Sequence, residues 1–271
     1  MKVTVVVIGY NSWHYLQKNL ASLDFLSGNQ EAAILYVDNA STDDTRSGIM
    51  HSYPNVKMIS CGVNRGVSAA RNIGMVNSAS EYLWFLDSDT EVNEEAFHAM
   101  LNYMETHEDV GICSCRLIGG DGETQASCKH FPTKWGVIKS GIHNIMKRFG
   151  WTVFPNAYSE TVYKVEGTEP MDVDFVIGAC MLVRRKAQNK VGFFDERIFF
   201  GPEDADYCRR MRKKGYKVIC LPDVSIIHDY QRTITKKFFS RQTLRQINGL
   251  RYYFGKVMRE KIQDHKEGHK K

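Results

Sequence analysis

The sequence predicts an α/β fold in which a doubly wound, mostly parallel sheet carries helices on both faces. Over about residues 1–115, short β-branched runs alternate with segments whose apolar residues recur at helical spacing. Polar residues follow the ends of the first four of these runs. Alternation of strands and helices at this spacing is typical of a parallel sheet that is covered by helices.

The first half of the chain is predicted to contain five strands and four helices. Consecutive valines and an isoleucine make residues 3–8 a strand, and Leu16, Leu20 and Leu23 give residues 13–23 one apolar helical face. The same criteria predict strands at 33–37, 56–60, 82–86 and 110–114, and helices at 43–51, 67–77 and 94–105.

The pattern weakens in the second half of the chain. Aromatic residues are scattered between 119 and 171 without a clear period, so this segment is either a partly ordered insertion over a site or irregular core. Regular order then resumes, with strands predicted at 173–183 and 216–221 and helices at 204–214 and 234–258.

Composition favours a globular protein of a reducing compartment. Hydrophobic residues make up 43% of the chain and charged residues 25%, which suits a domain with a sizeable core. The apolar runs are shorter than the roughly 18 residues that a membrane span needs, and no secretory cleavage pattern is seen. The seven cysteines are odd in number and lack C-x-x-C spacing, so we expect buried thiols in a cytoplasmic protein.

Polar residues at the predicted strand ends indicate one ligand site. In open α/β sheets, ligands bind outside the carboxyl ends of the strands. The segment after the first strand lacks the G-x-G-x-x-G of dinucleotide-binding folds, and a P-loop is also absent. Asp87 and Asp89 follow an apolar strand, and such paired carboxylates can hold Mg²⁺ or Mn²⁺ against a diphosphate.

Together these motifs resemble the inverting glycosyltransferase family 2, whose members have the GT-A fold. The resemblance covers residues 3 to about 230. It rests on the blocks Val5-Val6-Val7-Ile8-Gly9-Tyr10-Asn11, Val37-Asp38-Asn39-Ala40-Ser41-Thr42-Asp43, Asn64-Arg65-Gly66-Val67-Ser68-Ala69-Ala70-Arg71-Asn72, Phe85-Leu86-Asp87-Ser88-Asp89, Gly178-Ala179-Cys180-Met181-Leu182-Val183-Arg184, Gly192-Phe193-Phe194-Asp195-Glu196 and Glu203-Asp204-Ala205-Asp206-Tyr207-Cys208-Arg209.

The resemblance implies a donor site in about residues 1–115 of a domain that spans 1–230. Asp38 would accept a hydrogen bond from the imide of uracil or thymine. The residues implied to bind the nucleotide sugar are Gly9, Tyr10, Asn11, Asp38, Asn64, Arg71, Asp87 and Ser88. Three structural alternatives stay open: Asp38 as a helix cap, Arg71 as a solvated helix residue, and Tyr10 as a core aromatic.

The resemblance places the acceptor in the second half, about residues 116–230, and implies a metal held by residues from both halves. Asp89 is the implied main ligand of Mn²⁺ or Mg²⁺, and His228 is a further ligand whose alternative is a solvated turn residue. Asp204 matches the base that takes the acceptor's proton, and its neighbour Glu203 is a rival for that role. Acidic residues at this helix start could also merely complement the helix dipole. The implied acceptor-binding residues are Gly178, Ala179 and Glu203.

The implied function is transfer of a sugar from a UDP- or dTDP-sugar to a glycan or polyprenol-linked glycan, with inversion. The block at 178–184 and a further block, Phe199-Phe200-Gly201-Pro202-Glu203-Asp204, look most like rhamnosyltransferase-type members, which build bacterial surface polysaccharides. The alternative from another class is a non-catalytic protein that binds sugar or membrane on the same fold. Nucleic acid is not an expected partner, because no nucleic-acid motif accompanies the basic tail.

The tail, residues 231–271, is predicted to be basic, aromatic and helical. It holds twelve Lys or Arg residues against three Asp or Glu, in a chain whose net charge is only +5. Cations mixed with aromatics, among them Phe238, Phe239, Tyr252, Tyr253 and Phe254, suit an anionic membrane surface. We therefore expect a peripheral location on the inner face of the cell membrane, with packing of the tail on the domain as the alternative.

Overall fold

A computed structural model describes residues 1–28, 31–147, 150–156, 159–229 and 241–268 and confirms the predicted α/β class. The strands are β1 (Val3–Gly9), β2 (Ala32–Asp38), β3 (Lys57–Ser60), β4 (Tyr82–Asp87), β5 (Thr90–Glu91), β6 (Val110–Ile118), β7 (Cys128–Lys129), β8 (Met171–Asp172), β9 (Phe175–Val176), β10 (Cys180–Arg184) and β11 (Lys217–His228). The α-helices are α1 (Trp13–Ser22), α2 (Thr45–Ser52), α3 (Val67–Val76), α4 (Glu94–Thr106), α5 (Lys134–Lys147), α6 (Arg185–Val191), α7 (Glu203–Lys213) and α8 (Arg241–Gly268).

The order of the strands in the main sheet brings residues from both halves of the chain to the carboxyl ends of its parallel strands, which form the carboxyl edge of the sheet. Its hydrogen-bonded neighbours run β3, β2, β1, β4, β10, β6, β11, β5, and β8 also pairs with β11. Strands β1, β2 and β4 are parallel, whereas β10 is antiparallel to both β4 and β6. The amino end of β10 therefore lies at the edge where β1, β4 and β6 end. Gly178 and Ala179, which come just before β10, reach that edge for this reason.

Two hydrophobic cores lie on the two faces of this sheet. Side chains alternate between faces along a strand, so Val3, Val5 and Val7 of β1 enter one core and Val6 and Ile8 enter the other. The first core includes Leu16, Leu20, Phe97, Met100 and Met104 of α1 and α4. The second includes Ala70, Met75, Tyr207 and Met211 of α3 and α7. The layered packing fixes both helix sets against the sheet and leaves its carboxyl edge for a site.

Two predicted strands differ from those observed, and both differences bear on the site. The strand predicted at 173–183 is two strands, β9 and β10, because the chain turns at residues 177–179. The strand predicted at 216–221 continues to His228 as β11 and pairs in parallel with β6. His228 consequently ends a strand and is buried, which excludes the solvated turn.

The segment 119–171 contains a helix that the scattered aromatics did not predict. The helical period is carried instead mainly by isoleucines, at 138, 142 and 145 in α5. None of the fourteen residues of α5, all of which are described, is buried. The helix is therefore not irregular core.

The tail helix α8 packs on α7 through charged groups. Tyr253 is 2% exposed, and Arg209 donates to both carboxylate oxygens of Glu260 at 2.7 and 2.9 Å. Lys256 donates to the buried Asp206 at 2.8 Å and to Asp195 at 3.0 Å. The predicted aromatics Phe238 and Phe239 lie outside the described residues. No helix in the described ranges combines the length and apolar character that crossing a bilayer requires.

Candidate active site

The Asp87-Ser88-Asp89 turn is held in place from both sides. The Asn19 amide of α1 donates to the Thr90 carbonyl at 2.8 Å and, more weakly, to the Asp87 carbonyl at 3.5 Å. After the turn, β5 pairs with the end of β11, so that Thr90 lies opposite His228. The pairing brings a histidine from the end of the domain against two carboxylates from its middle.

The three side chains form a candidate metal site. One ligand atom each of Asp87, Asp89 and His228 lies within 4.8 Å of the others, and His228 Nε2 is 3.5 Å from Asp89 Oδ1. Gln125 fixes the ring: its Oε1 lies 2.9 Å from His228 Nδ1, and its amide donates to the His228 carbonyl at 2.8 Å. With Nδ1 donating to Gln125, Nε2 is the nitrogen that faces the carboxylates. Two carboxylates and an imidazole are a donor set that fits Mn²⁺, and Mg²⁺ through the carboxylates.

The pKa shifts of these ligands follow from their crowding. Burial raises the pKa of Asp87, and the nearby Asp89 charge adds to the rise against the opposing effect of Arg71. For His228, burial lowers the pKa, but the hydrogen bond and charge of Asp89 outweigh it, so that the net pKa is raised. Negative charge is thus concentrated at this edge of the sheet, as a cation site requires.

Arg71 connects the Asp-x-Asp turn to the acidic start of α7. Its guanidinium is 2% exposed and donates to Asp87 at 3.2 Å, to Glu203 at 3.1 Å and to the Gly178 carbonyl at 3.0 Å. A side chain at Gly178 would meet the guanidinium at 2.1 Å, so only glycine permits this approach. Because Arg71 is buried between two carboxylates, the solvated alternative is excluded.

Glu203 and Asp204 face different surroundings although they are neighbours. Glu203 is 7% exposed, and burial, reinforced by the Asp204 charge, raises its pKa to about 7 against the opposing effect of Arg71. Asp204 is only partly buried. Its Oδ1 accepts from the Ala205 amide at 2.7 Å and its Oδ2 from the Gly178 amide at 3.3 Å. Asp204 is therefore the carboxylate that a ligand can reach more easily.

The loops after β1 and β2 form the other side of the edge. Tyr10 is 49% exposed, which excludes the core aromatic. Asn11 has a φ of 52°, in the left-handed region that asparagine tolerates better than most residues, and its side chain accepts from the Thr42 amide at 2.7 Å. Such constrained backbone clusters at ligand sites. Asn64 accepts from the Gly66 amide at 3.1 Å and shapes the loop after β3.

Asp38 is fully buried, and its carboxylate has several partners. It accepts from the Ser41 amide and the Ser60 hydroxyl, both at 2.9 Å, and it pairs with Arg46 at 3.1 Å. The Ser41 contact lies in the loop before α2, whose N-cap position is Asp44, so Asp38 does not cap this helix. Arg46, the charged partner of Asp38, is 46% exposed.

Contacts bring the sequence-predicted residues together in two groups. One joins Asp87, Asp89, His228, Arg71, Gly178, Glu203 and Asp204, and Ala179 joins it through its carbonyl, which accepts from the Asp87 amide at 3.2 Å. The other joins Gly9 to Asp38 by strand pairing and Asn11 to Asp38 through Ser41, and Tyr10 is the chain neighbour of Asn11. Asn64 joins it through Asn39, and Ser88 is the buried centre of the Asp-x-Asp turn. Sequence reasoning missed Gln125 and Asn19, because a single amide in a loop or helix has no local signature of its partner.

The chain belongs to glycosyl transferase family 2, whose sequence profile matches residues 4–192. It is 30% identical over 237 residues to the N-acetylglucosaminyl-diphospho-decaprenol L-rhamnosyltransferase of Mycobacterium tuberculosis, covering 83% of this chain and 75% of that protein. It is 25% identical to the dTDP-rhamnosyl transferase RfbF of Shigella flexneri, covering 83% and 68%. The predicted resemblance to rhamnosyltransferases of this family is confirmed.

Solved structures show the same fold. GalNAc-T7 with UDP, GalNAc and Mn²⁺ aligns with a TM-score of 0.63 at 16% identity, covering 85% of this chain and 44% of that one. S. aureus TarS in complex with UDP-GlcNAc aligns with a TM-score of 0.61 at 18% identity, covering 89% and 62%. The chain thus spans less than two thirds of either structure. Both support the GT-A fold, and at these identities they show the fold alone.

Proposed function

We propose that the protein transfers a sugar from a UDP- or dTDP-sugar to a hydroxyl group of a glycan or lipid-linked glycan, with inversion and with Mn²⁺ or Mg²⁺. The observation that carries the proposal is the convergence of two groups on one sheet edge. Asp87, Asp89 and His228 can hold a cation, and Arg71 links them to Glu203 beside Asp204. A divalent cation at this position would neutralise the charge that develops on the diphosphate leaving group.

The donor nucleotide is assigned to the loops after β1, β2 and β3. Exposed Tyr10 offers a ring face to the base, and Asn11 lies beside it with its backbone held in place. Asp38 would accept the imide N–H of uracil or thymine once the half-exposed Arg46 moves aside. Arg71 contributes at the phosphate end by offsetting the charges of Asp87 and Glu203, because it is buried between them.

Asp204 acts as the base in a single displacement. The acceptor oxygen forms a bond to the anomeric carbon while the bond from that carbon to the diphosphate breaks, and the acceptor's proton goes to Asp204. The Gly178 amide orients the Asp204 carboxylate. Because one displacement occurs without a covalent intermediate on the protein, the configuration of the anomeric carbon inverts.

The proposed sugar is rhamnose and the proposed acceptor a polyprenol-linked glycan. The support comes from the names of two relatives, a decaprenol-linked L-rhamnosyltransferase and a dTDP-rhamnosyl transferase. The chemistry at this site would transfer the sugar of any donor with a nucleoside diphosphate leaving group. The identity of the sugar and the class of acceptor are therefore tested separately.

A donor screen tests the proposed function. We expect UDP- or dTDP-sugars, dTDP-rhamnose among them, to be hydrolysed or transferred in the presence of Mn²⁺ or Mg²⁺, faster than GDP-sugars. NMR of the product should show the anomeric configuration opposite to that of the donor. Asp204→Asn protein serves as the negative control. Retained configuration, or the absence of turnover with every donor, would contradict the proposal.

The tail helix is proposed to contact an anionic membrane through its outer face. Leu244, Ile247, Met258 and Ile262 are between 47 and 59% exposed and lie on the side away from the buried Tyr253. Tyr252 and Tyr253 do not insert in this arrangement, because one donates to Asp195 and the other is buried on the domain. The basic residues of α8 flank this face and suit anionic lipid.

Serine at Leu244, Ile247, Met258 and Ile262 should weaken the binding of the protein to anionic vesicles, measured by co-sedimentation, at least about tenfold. Truncation of the tail is a poorer test, because it would remove Lys256 from the buried Asp206. Unchanged co-sedimentation of a folded quadruple variant would refute the assignment of the outer face.

A further inference from the structure

The helix α5 carries an apolar stripe that the rest of the described chain leaves largely exposed. Trp135, Ile138, Ile142 and Ile145 follow a spacing of three, four and three residues, which places them on one side of a helix. Their side chains are between 41 and 61% exposed. Trp151 and Phe154, just beyond the helix, are 65 and 41% exposed. Apolar exposure this concentrated marks an interaction surface in a soluble domain.

The charged residues around the stripe are mostly basic. Lys134, Lys139 and Lys147 lie on α5, and the sequence contains no Asp or Glu between Glu123 and Glu160. Glu160 approaches the helix, where it pairs with Lys139 at 3.4 Å. A stripe of isoleucines bordered by lysines, with tryptophans at both ends of the segment, matches a helix that lies in the interface of an anionic bilayer.

The place of α5 in the fold relates this surface to the active site. The segment that carries it leaves the sheet at the carboxyl end of β6, the edge at which the site lies. The same segment contains β7, which pairs with β9, so that Cys128 lies opposite Val176. Two residues after Val176, Gly178 contacts both Arg71 and Asp204.

We propose that α5 and the adjoining Trp151 and Phe154 dock this chain on an anionic lipid surface, with the acceptor side of the active site held at the height of the headgroups. A second copy of the chain fits the surface less well, because the two stripes would bring lysines of like charge together, and the acidic Glu160 is already paired with Lys139. Only the advantage of docking rests on the proposed function: it would bring the active site to a lipid-linked acceptor. Docking itself needs no turnover.

Vesicle binding by the full chain tests the proposal. The vesicles contain phosphatidylcholine alone or with phosphatidylglycerol. Serine at Trp135, Ile138, Ile142 and Ile145 should weaken co-sedimentation with the anionic vesicles at least about tenfold. Lys134→Gln should weaken it about fivefold, with little effect on neutral vesicles. Met50→Ser with Val76→Ser, at residues 65 and 70% exposed elsewhere, is the matched control and should bind as the unaltered protein does.

Tryptophan fluorescence gives an independent measurement of the same event. Trp84 is fully buried and Trp13 packs against the core, so the exposed Trp135 and Trp151 should dominate a blue shift on addition of anionic vesicles. Phenylalanine at both positions should abolish the shift and keep the binding. Equal vesicle binding by the unaltered protein and a folded α5 serine variant would overturn the proposal. So would a concentration-dependent dimer that the serine variant abolishes while neither protein binds vesicles.

Assays of sugar transfer by the same variants distinguish a failure of the docking surface from a failure of the proposed function. Transfer to a water-soluble acceptor should be the same for the α5 variants and the unaltered protein, because no α5 residue belongs to the site. If all proteins lack transfer but the α5 variants still lose vesicle binding, the proposed function fails and the docking surface stands. If transfer is normal and vesicle binding does not depend on α5, the docking surface alone fails.

Discussion

Replacing Asp204 by asparagine is expected to lower kcat at least about 100-fold, because the amide keeps the size of the side chain but cannot take the acceptor's proton. Binding of UDP or dTDP, measured by calorimetry, should change little, since Asp204 belongs to the acceptor side. Asp223→Asn, an exposed aspartate on β11, is the matched control and should leave kcat unchanged.

Glu203 is the other carboxylate that could take the acceptor's proton in place of Asp204. A pKa raised to about 7 would suit a base at neutral pH, and its Oε2 has no hydrogen-bond partner in the described part of the chain. Against that role, Glu203 is only 7% exposed and its Oε1 is held by Arg71, so an acceptor hydroxyl has little access. We therefore assign Glu203 to positioning Arg71. An inactive Glu203→Gln variant beside an active Asp204→Asn variant would reverse the assignment.

The raised pKa of Glu203 also gives a stability readout that is independent of turnover. Burial raises this pKa from 4.5 to about 7 in the folded protein, so the folded state disfavours the ionised form. Its contribution to stability is present below pH 4.5 and is lost as the pH rises through about 7. The free energy of unfolding should fall over this pH range relative to Glu203→Gln, which has no proton to lose.

The first half of the fold could be predicted because its signals are local. Residues 3–8 and 82–86 are apolar runs bounded by polar residues, and the structure places strands β1 and β4 there. The clustering of Asp38, Asp87 and the loop after β1 followed from the rule that parallel strands end at one edge. None of this required knowledge of a long-range contact.

The second half depended on pairings that the sequence does not display. His228 reaches Asp89 because β5 pairs with the end of β11, where the paired residues Thr90 and His228 are 138 positions apart in the sequence. The helix α5 was not predicted, because its helical period is carried mainly by the isoleucines at 138, 142 and 145 and not by the aromatic residues of the segment. In the tail, the charge pattern predicted a helix, but only the structure shows that Lys256 and Glu260 face buried partners on α7.

Replacing Asp89 by alanine is expected to lower turnover at least about 100-fold, because stabilisation of a developing diphosphate charge by a cation contributes several kcal/mol. EDTA should have the same effect on the unaltered protein, and added Mn²⁺ or Mg²⁺ should restore activity there but not in the variant. Asp109→Ala, at an exposed position, is the matched control and should keep both turnover and metal response.

Gln125 offers a graded test of the same site. Its side chain orients His228 and contributes no ligand, so Gln125→Leu should weaken the activating metal about 10- to 100-fold and leave turnover at saturating metal largely unchanged. Activation curves for Mn²⁺ separate the two effects, since Asp89→Ala lowers the plateau and Gln125→Leu shifts the midpoint. Full activity of the unaltered protein in EDTA would rule out the metal site altogether. In that case a different role would have to explain why the carboxylates of Asp87 and Asp89 lie together beside the buried imidazole of His228.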